Sequence, residues 1–250
     1  MSVSGSGAVR AGEMSELAVG APSGDRRPGA VVARDVFKIY KRGPSETVAL
    51  RGASLTIEPG EFVSLEGPSG SGKSSLMAIL TGLAAPSAGD VVVDGRRLTE
   101  LDEAGLAGWR AQRVGMVFQK GNLVPFLSAE ENVALIASRR MGRRQSREHA
   151  RELLASLGLG ARARHRATQL SGGEVQRAGI AVALANDPAV LFGDELTGEL
   201  DSETAHAVMD ALVERQRERG LTMLLVTHNP AIAELADRRL VLSGGLVEPR

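Results

Sequence analysis

The sequence predicts an α/β fold with a helical insertion, and three observations predict it. Short apolar runs alternate with segments of helical period over residues 62–83 and again over 172–235. The run at 62–65 passes directly into a glycine- and serine-rich loop beginning at Gly67, then into a segment with Leu76, Ile79, Leu80 and Leu83 on one helical face. The middle, about residues 120–170, is patterned as helix, rich in arginine and without a comparable strand run.

Each element follows from local pattern. Residues 1–30 are mostly Gly, Ala, Ser, Pro and Arg, with Arg10, Arg26 and Arg27 offset by Glu13, Glu16 and Asp25. They lack the apolar core of a secretory signal and read as a disordered leader, within which Met14 is an alternative start. Ordered patterning begins near Val31. Residues 31–40 alternate partly as a strand broken by Pro44 to Glu46, and 48–50 and 54–57 are two short strand runs before the turn Glu58-Pro59-Gly60-Glu61. After the helix at 75–83 come a turn at Pro86-Ser87-Ala88-Gly89, a strand at 91–93 turned at Asp94-Gly95, and a strand at 114–118.

In the insertion, residues 146–157 place Ala150, Leu153, Leu154 and Leu157 on one face, and Gly158 ends the helix. The core resumes at Gly172 with a helix to Leu184, a strand at 190–192, and a helix over 202–219. That helix buries Ala205, Val208, Met209, Leu212 and Val213, starts at Asp201 or Ser202 and ends at Gly220. A strand at 222–227, a short helix at 231–235 and a hairpin around Gly244-Gly245 close the domain.

Composition narrows the function. The 250 residues carry 30 basic and 30 acidic side chains, so the formal charge is zero, and non-specific nucleic-acid binding, which needs a basic surplus, is disfavoured. No cysteine is present, which removes disulfide and thiolate chemistry. No apolar run approaches the roughly 20 residues of a spanning helix, so a cytosolic chain reaching a membrane through a partner is expected. Arg139, Arg140, Arg143 and Arg144, then Arg162, Arg164, His165 and Arg166, make the insertion basic. A solvated face is the plainer account, and contact with anionic lipid headgroups is the functional one.

The loop Gly67-Pro68-Ser69-Gly70-Ser71-Gly72-Lys73-Ser74-Ser75 fits G-x-x-x-x-G-K-[ST], between an apolar strand and an amphipathic helix. Its glycines let backbone N–H groups turn onto phosphates, and the helix start adds its positive end. Lys73 would reach the β- and γ-phosphates of a nucleotide, and Ser74 would ligate Mg²⁺. Asp194 and Glu195 end a second apolar strand, which suits Asp194 to the metal and Glu195 to polarising an attacking water.

Leu170-Ser171-Gly172-Gly173-Glu174 precedes the acidic pair. With the two motifs above it resembles the signature of the ATP-binding-cassette ATPases over about residues 31–248. The resemblance implies a P-loop NTPase (RecA-like) core, an N-terminal antiparallel β subdomain and a helical subdomain at about 120–170, together forming an ATPase domain over 31–250. It implies ATP and Mg²⁺, and a homodimer in which Ser171, Gly172 and Gly173 contact the γ-phosphate bound by the other subunit. By the same resemblance Tyr40 stacks on adenine, Gln119 senses the metal and the water, Asp201 lies in the loop crossing the dimer interface, and His228 bonds the γ-phosphate.

Further details, Asn122-Leu123-Val124-Pro125 after Gln119 and Thr197-Gly198-Glu199-Leu200-Asp201 at the interface loop, resemble the lipoprotein-release, macrolide-export and cell-division group. That implies an integral-membrane permease as partner, a place at the cytoplasmic face of the membrane, and export or mechanical coupling. A soluble cassette remodelling a nucleic-acid or ribosomal partner is the alternative, although such chains carry two cassettes or a long coiled-coil insertion. A nucleotide kinase is disfavoured by the signature and His228.

Three positions depart from the family pattern: Leu196 where proline is usual, Glu199 where asparagine or alanine is usual, and Ser75 for threonine. Leu196 is expected to leave its turn less rigid, Glu199 adds a carboxylate near the interface, and together these are expected to lower the basal ATPase rate.

Overall fold

The computed structural model describes residues 27–43, 45–118 and 123–250. Its core is a six-stranded sheet built from β3 (Phe62–Glu66), β6 (Val114–Val117), β7 (Val190–Asp194), β8 (Thr222–Val226), β9 (Arg238–Ser243) and β10 (Leu246–Pro249). The order is β10-β9-β3-β8-β7-β6, parallel except for the terminal hairpin of β9 and β10. In that hairpin Gly244 and Gly245 both take positive φ, the backbone that a two-residue turn matched to strand twist requires.

Both faces of this sheet are covered, which is why its strands read as unbroken apolar runs. Along β8, Met223 and Leu225 pack on one side, and Leu224 and Val226 on the other. The first side is closed by α5 (Gly172–Leu184) and α6 (Ser202–Arg219), through residues such as Ile180, Met209 and Leu212. The insertion helices α3 (Ala129–Ala137) and α4 (Arg143–Ser156) extend the same core through Val133, Ala150 and Leu154.

The second side packs on α1 (Lys73–Leu80) and on a four-stranded antiparallel sheet. That sheet comprises β1 (Val31–Arg42), β2 (Ser45–Ile57), β4 (Ala88–Val93) and the two-residue β5 (Arg96–Arg97), in the order β2-β1-β4-β5. A short α7 (Pro230–Ala233) follows β8. Among the described residues no helix is long and apolar enough to cross a membrane.

Four differences from the sequence reading have physical causes. The two runs at 48–50 and 54–57 are one strand, β2, because pairing with β1 continues through register shifts near Ala33, Val36 and Lys38. A helix absent from the sequence reading, α2 (Glu103–Arg113), covers the second core with Trp109; its apolar residues are too few to show a period. The loop helix begins at Lys73 and ends at Leu80, rather than spanning 75–83.

The leader boundary also falls earlier. Gly29 and Ala30 are buried, Gly29 donates to Asp94 (2.8 Å), and Thr222 Oγ1 donates to the Gly29 carbonyl (2.8 Å). Residues 1–26, the rest of that expectation, lie outside the described residues.

Candidate active site

The parallel strands β3, β6, β7 and β8 all end on the same edge, and the chemistry-bearing loops follow those ends. β3 leads into the glycine loop. Gly67 has φ 147°, and a Cβ there would lie 2.2 Å from the Leu242 carbonyl oxygen. Gly72, at φ 107°, is held as closely, with a Cβ falling 2.5 Å from the Ala49 oxygen. Both positions therefore exclude every side chain: the loop abuts β9 at Gly67 and β2 at Gly72, with Pro68, Ser69 and Gly70 exposed between them and Ser71 buried.

Lys73 Nζ donates back to the carbonyls of Gly67 (2.7 Å) and Pro68 (2.9 Å), so its ammonium is held inside the arc of the loop. α1 starts there with no capping side chain and no acidic residue in its first turn, an end suited to an anion. Tyr40 projects from β1 beside this loop, 43% exposed, its hydroxyl donating to Ser75 Oγ at 3.2 Å. Lys38 Nζ lies 5.2 Å from the Tyr40 ring centre.

β7 delivers Asp194 and Glu195. Asp194 shares with Ser74 a small cavity of about 100 Å³ that Met77, Val117, Phe118 and Phe192 also line. Burial, and then the adjacent Glu195 charge, push the Asp194 carboxyl above its ordinary range, against the pull of Lys73 and His228. Glu195 stands at φ 51°, in the left-handed region, its N–H donating to the Val226 carbonyl at 3.0 Å. β8 brings His228 to the same point, with Nε2 3.6 Å from Glu195 Oε1.

Leu196 is not loosely placed. It is 3% exposed and fills the hollow above Gly193, where a Cβ would fall 2.6 Å from Leu196 Cγ and 2.8 Å from Leu225 Cδ2. Packing thus holds the turn after Glu195 in place of a proline ring. The sequence reading, based on the missing ring, had no signal for this contact.

The signature lies at the start of α5. Ser171 caps α5 in a capping box, its Oγ accepting from the Glu174 N–H (3.3 Å) while Glu174 accepts from the Ser171 N–H (2.8 Å). Arg162, from the second basic cluster, binds Glu174 at 2.9 Å. Gly172 and Gly173 form the first turn of α5. Asp201 caps α6, accepting from the Thr204 N–H (2.9 Å) and hydroxyl (2.7 Å), and these bonds hold its carboxyl below the ordinary range.

The structure therefore gathers Tyr40, the loop residues 67–75, Asp194, Glu195 and His228 at one edge. Ser171, Gly172, Gly173 and Asp201 lie where α5 and α6 begin, with Glu199 of the loop after Glu195 packed against Gly172 and Gly173. Gln119 lies outside the described residues.

Comparison with known proteins agrees with this geometry. The family profile described as ABC transporter matches residues 50–198. The lipoprotein-releasing system ATP-binding protein LolD of Myxococcus xanthus is 46% identical over 215 residues, covering 86% of this chain and 96% of that protein. The macrolide export ATP-binding/permease protein MacB of Syntrophobacter fumaroxidans is 42% identical over 219 residues, which is 86% of this chain but 31% of MacB. Among solved structures, the dimeric bacterial ABC transporter cassette MJ0796 superposes with a TM-score of 0.84 at 39% identity, covering 87% of this chain and 96% of that one. A second dimer of the same cassette, in a post-hydrolysis state with ADP and phosphate, fits equally well. With loop, acidic pair, histidine and signature in this arrangement, the chain belongs to the ABC transporter ATP-binding family.

Proposed function

We propose that this ABC ATPase works as a homodimer that drives a separately encoded membrane permease from the cytoplasmic face, for export or mechanical coupling. The observation that carries the reading is the convergence of Lys73, Ser74, Asp194, Glu195 and His228 at the ends of three parallel strands. The LolD and MacB relatives, named for lipoprotein release and macrolide export, support the subgroup.

Each residue then has a task. Tyr40 supports the adenine. Backbone N–H groups of residues 67–75, the start of α1 and Lys73 take the phosphates. Ser74 and Asp194 are hard oxygen donors on one small cavity, a set that fits Mg²⁺, with Gln119 as the third proposed ligand. Held by these residues, Mg²⁺ would supply positive charge to offset the charge developing on the phosphates. Glu195 polarises the attacking water, and His228 beside it bonds the γ-phosphate.

Ser171, Gly172 and Gly173 of one subunit close over the nucleotide of the other, with Asp201 in the loop crossing between them. ATP binding closes the dimer and hydrolysis reopens it.

The Glu195→Gln variant tests this reading, since it retains nucleotide binding and loses the base. With ATP it is expected to sediment as a dimer and to co-purify from solubilised membranes with a permease of few spanning helices. A dimer that forms but never carries a membrane partner refutes the transport reading and favours the soluble remodelling one.

A further inference from the structure

The loop after the catalytic strand runs from Glu195 to the start of α6, and its middle lies against the signature of the same chain. A Cβ on Gly172 would sit 3.4 Å from Glu199 Oε2, and one on Gly173 would sit 3.2 Å from the Glu199 carbonyl oxygen. The Glu199 carboxylate is therefore beside Gly172, and the Glu199 backbone beside Gly173, at the first turn of α5.

The charges there are unevenly satisfied. Glu174 is committed, closing the capping box with Ser171 and neutralised by Arg162. First-turn N–H groups of a helix have no partner within it, and those of Gly172 and Gly173 have no acceptor among the described residues. Nor does the exposed Glu199 carboxylate have a hydrogen bond or an ion pair among them. A negative group with no cation of its own thus faces the positive end of the helix that, in the two-chain sandwich proposed above, receives the γ-phosphate of the other subunit.

We infer that Glu199 is a specificity-determining residue for closure: its carboxylate stands beside the signature end of α5 in the open chain and repels the partner-bound γ-phosphate there. Two anions beside the same helix end repel, so the glutamate has to swing aside before the sandwich closes. The effect raises the ATP concentration needed for closure and leaves the affinity of Lys73 and the glycine loop for nucleotide in the open monomer untouched. It is electrostatic at an exposed position, so salt screens it.

This inference rests on the sandwich reading, and the test separates the two. ATP-dependent dimerisation is followed by analytical ultracentrifugation for Glu195→Gln and for Glu195→Gln with Glu199→Gln, in about 0.05 M and about 0.5 M salt. The double variant is expected to dimerise at about threefold lower ATP in low salt, the scale of an exposed charge pair, with the gap closing in high salt. Glu199→Asp, which keeps the charge, is expected to stay near the parent.

A shift below about 1.5-fold, a shift in the opposite sense, or one that salt leaves unchanged overturns the inference while the sandwich stands. Failure of every variant to dimerise with ATP overturns the sandwich and this inference with it.

Discussion

Leu196 is where packing bears most directly on the proposed catalytic turn. It is 3% exposed, belongs to the core that α5 and α6 share with the sheet, and occupies the hollow left by Gly193 against Leu225. Leu196→Ala removes three carbons from that hollow. The neighbouring backbone cannot collapse freely, because the Glu195 N–H is bonded to Val226 and the Gly198 N–H to the Glu195 carbonyl (3.1 Å). A cost of about 3–4 kcal/mol is expected, within the range for buried leucine truncations. For a chain of this size that lowers Tm by about 6–16 °C.

The same change releases Glu195 from its left-handed backbone, a conformation that costs a residue with a side chain about 1–3 kcal/mol and persists only where its surroundings enforce it. Steady-state ATPase should show kcat reduced about tenfold, the equivalent of about 1.4 kcal/mol, with KM for ATP nearly unchanged, because the loop and Lys73 are untouched. Leu196→Met keeps the volume and is expected to cost less than about 1.5 kcal/mol. Thermal melts and ATPase assays on the three proteins check this. An alanine variant with Tm within about 2 °C of the parent and kcat unaltered refutes the argument that packing at Leu196 holds the catalytic turn.

Two more substitutions test other parts of the fold. The raised pKa of Asp194 means that its carboxyl is protonated more readily in the folded chain than in the unfolded one. Its charge therefore costs stability above the raised value, and that cost disappears as pH falls through the acidic range. Asp194→Asn is expected to melt higher than the parent near pH 7.5 without Mg²⁺, with the gain shrinking toward acid, while ATP hydrolysis is lost; a lower melt at pH 7.5 contradicts the electrostatic account. At the opposite edge of the sheet, buried Thr222 Oγ1 donates to the Gly29 carbonyl (2.8 Å) and accepts from the Gly60 N–H (2.9 Å). Thr222→Val strands both groups at a cost of about 1–3 kcal/mol and leaves KM for ATP unchanged, so an undiminished Tm argues against this staple.

Much of the site was legible because its chemistry demands particular residue types at short spacing. A loop that wraps phosphates needs glycines, a lysine and a hydroxyl in succession, and Gly67 to Ser75 supplies them in one stretch. The acidic pair and His228 each follow an apolar run that both faces of a covered sheet require. Helix α6 was readable to the residue, since Asp201 and Gly220 are strong terminal signals. Helix α2 was not: Gly105 and Gly108 interrupt it, and Trp109 is its one fully covered side chain. The N-terminal sheet was read as separate short runs because the bulges that join them are defined by the partner strand.

The sequence by itself determined the fold class, the nucleotide chemistry and the ATP-binding-cassette family, since each depends on local pattern and on the order of motifs along the chain. Only the tertiary structure decided what Leu196 and Glu199 do. Leu196 acts as a wedge because Gly193 leaves space for it, and the role inferred for Glu199 follows from the packing of its loop against Gly172 and Gly173 at the start of α5. Both are contacts between separate strands and helices, set by which backbone leaves room for which side chain, and neither periodicity nor motif spacing encodes that.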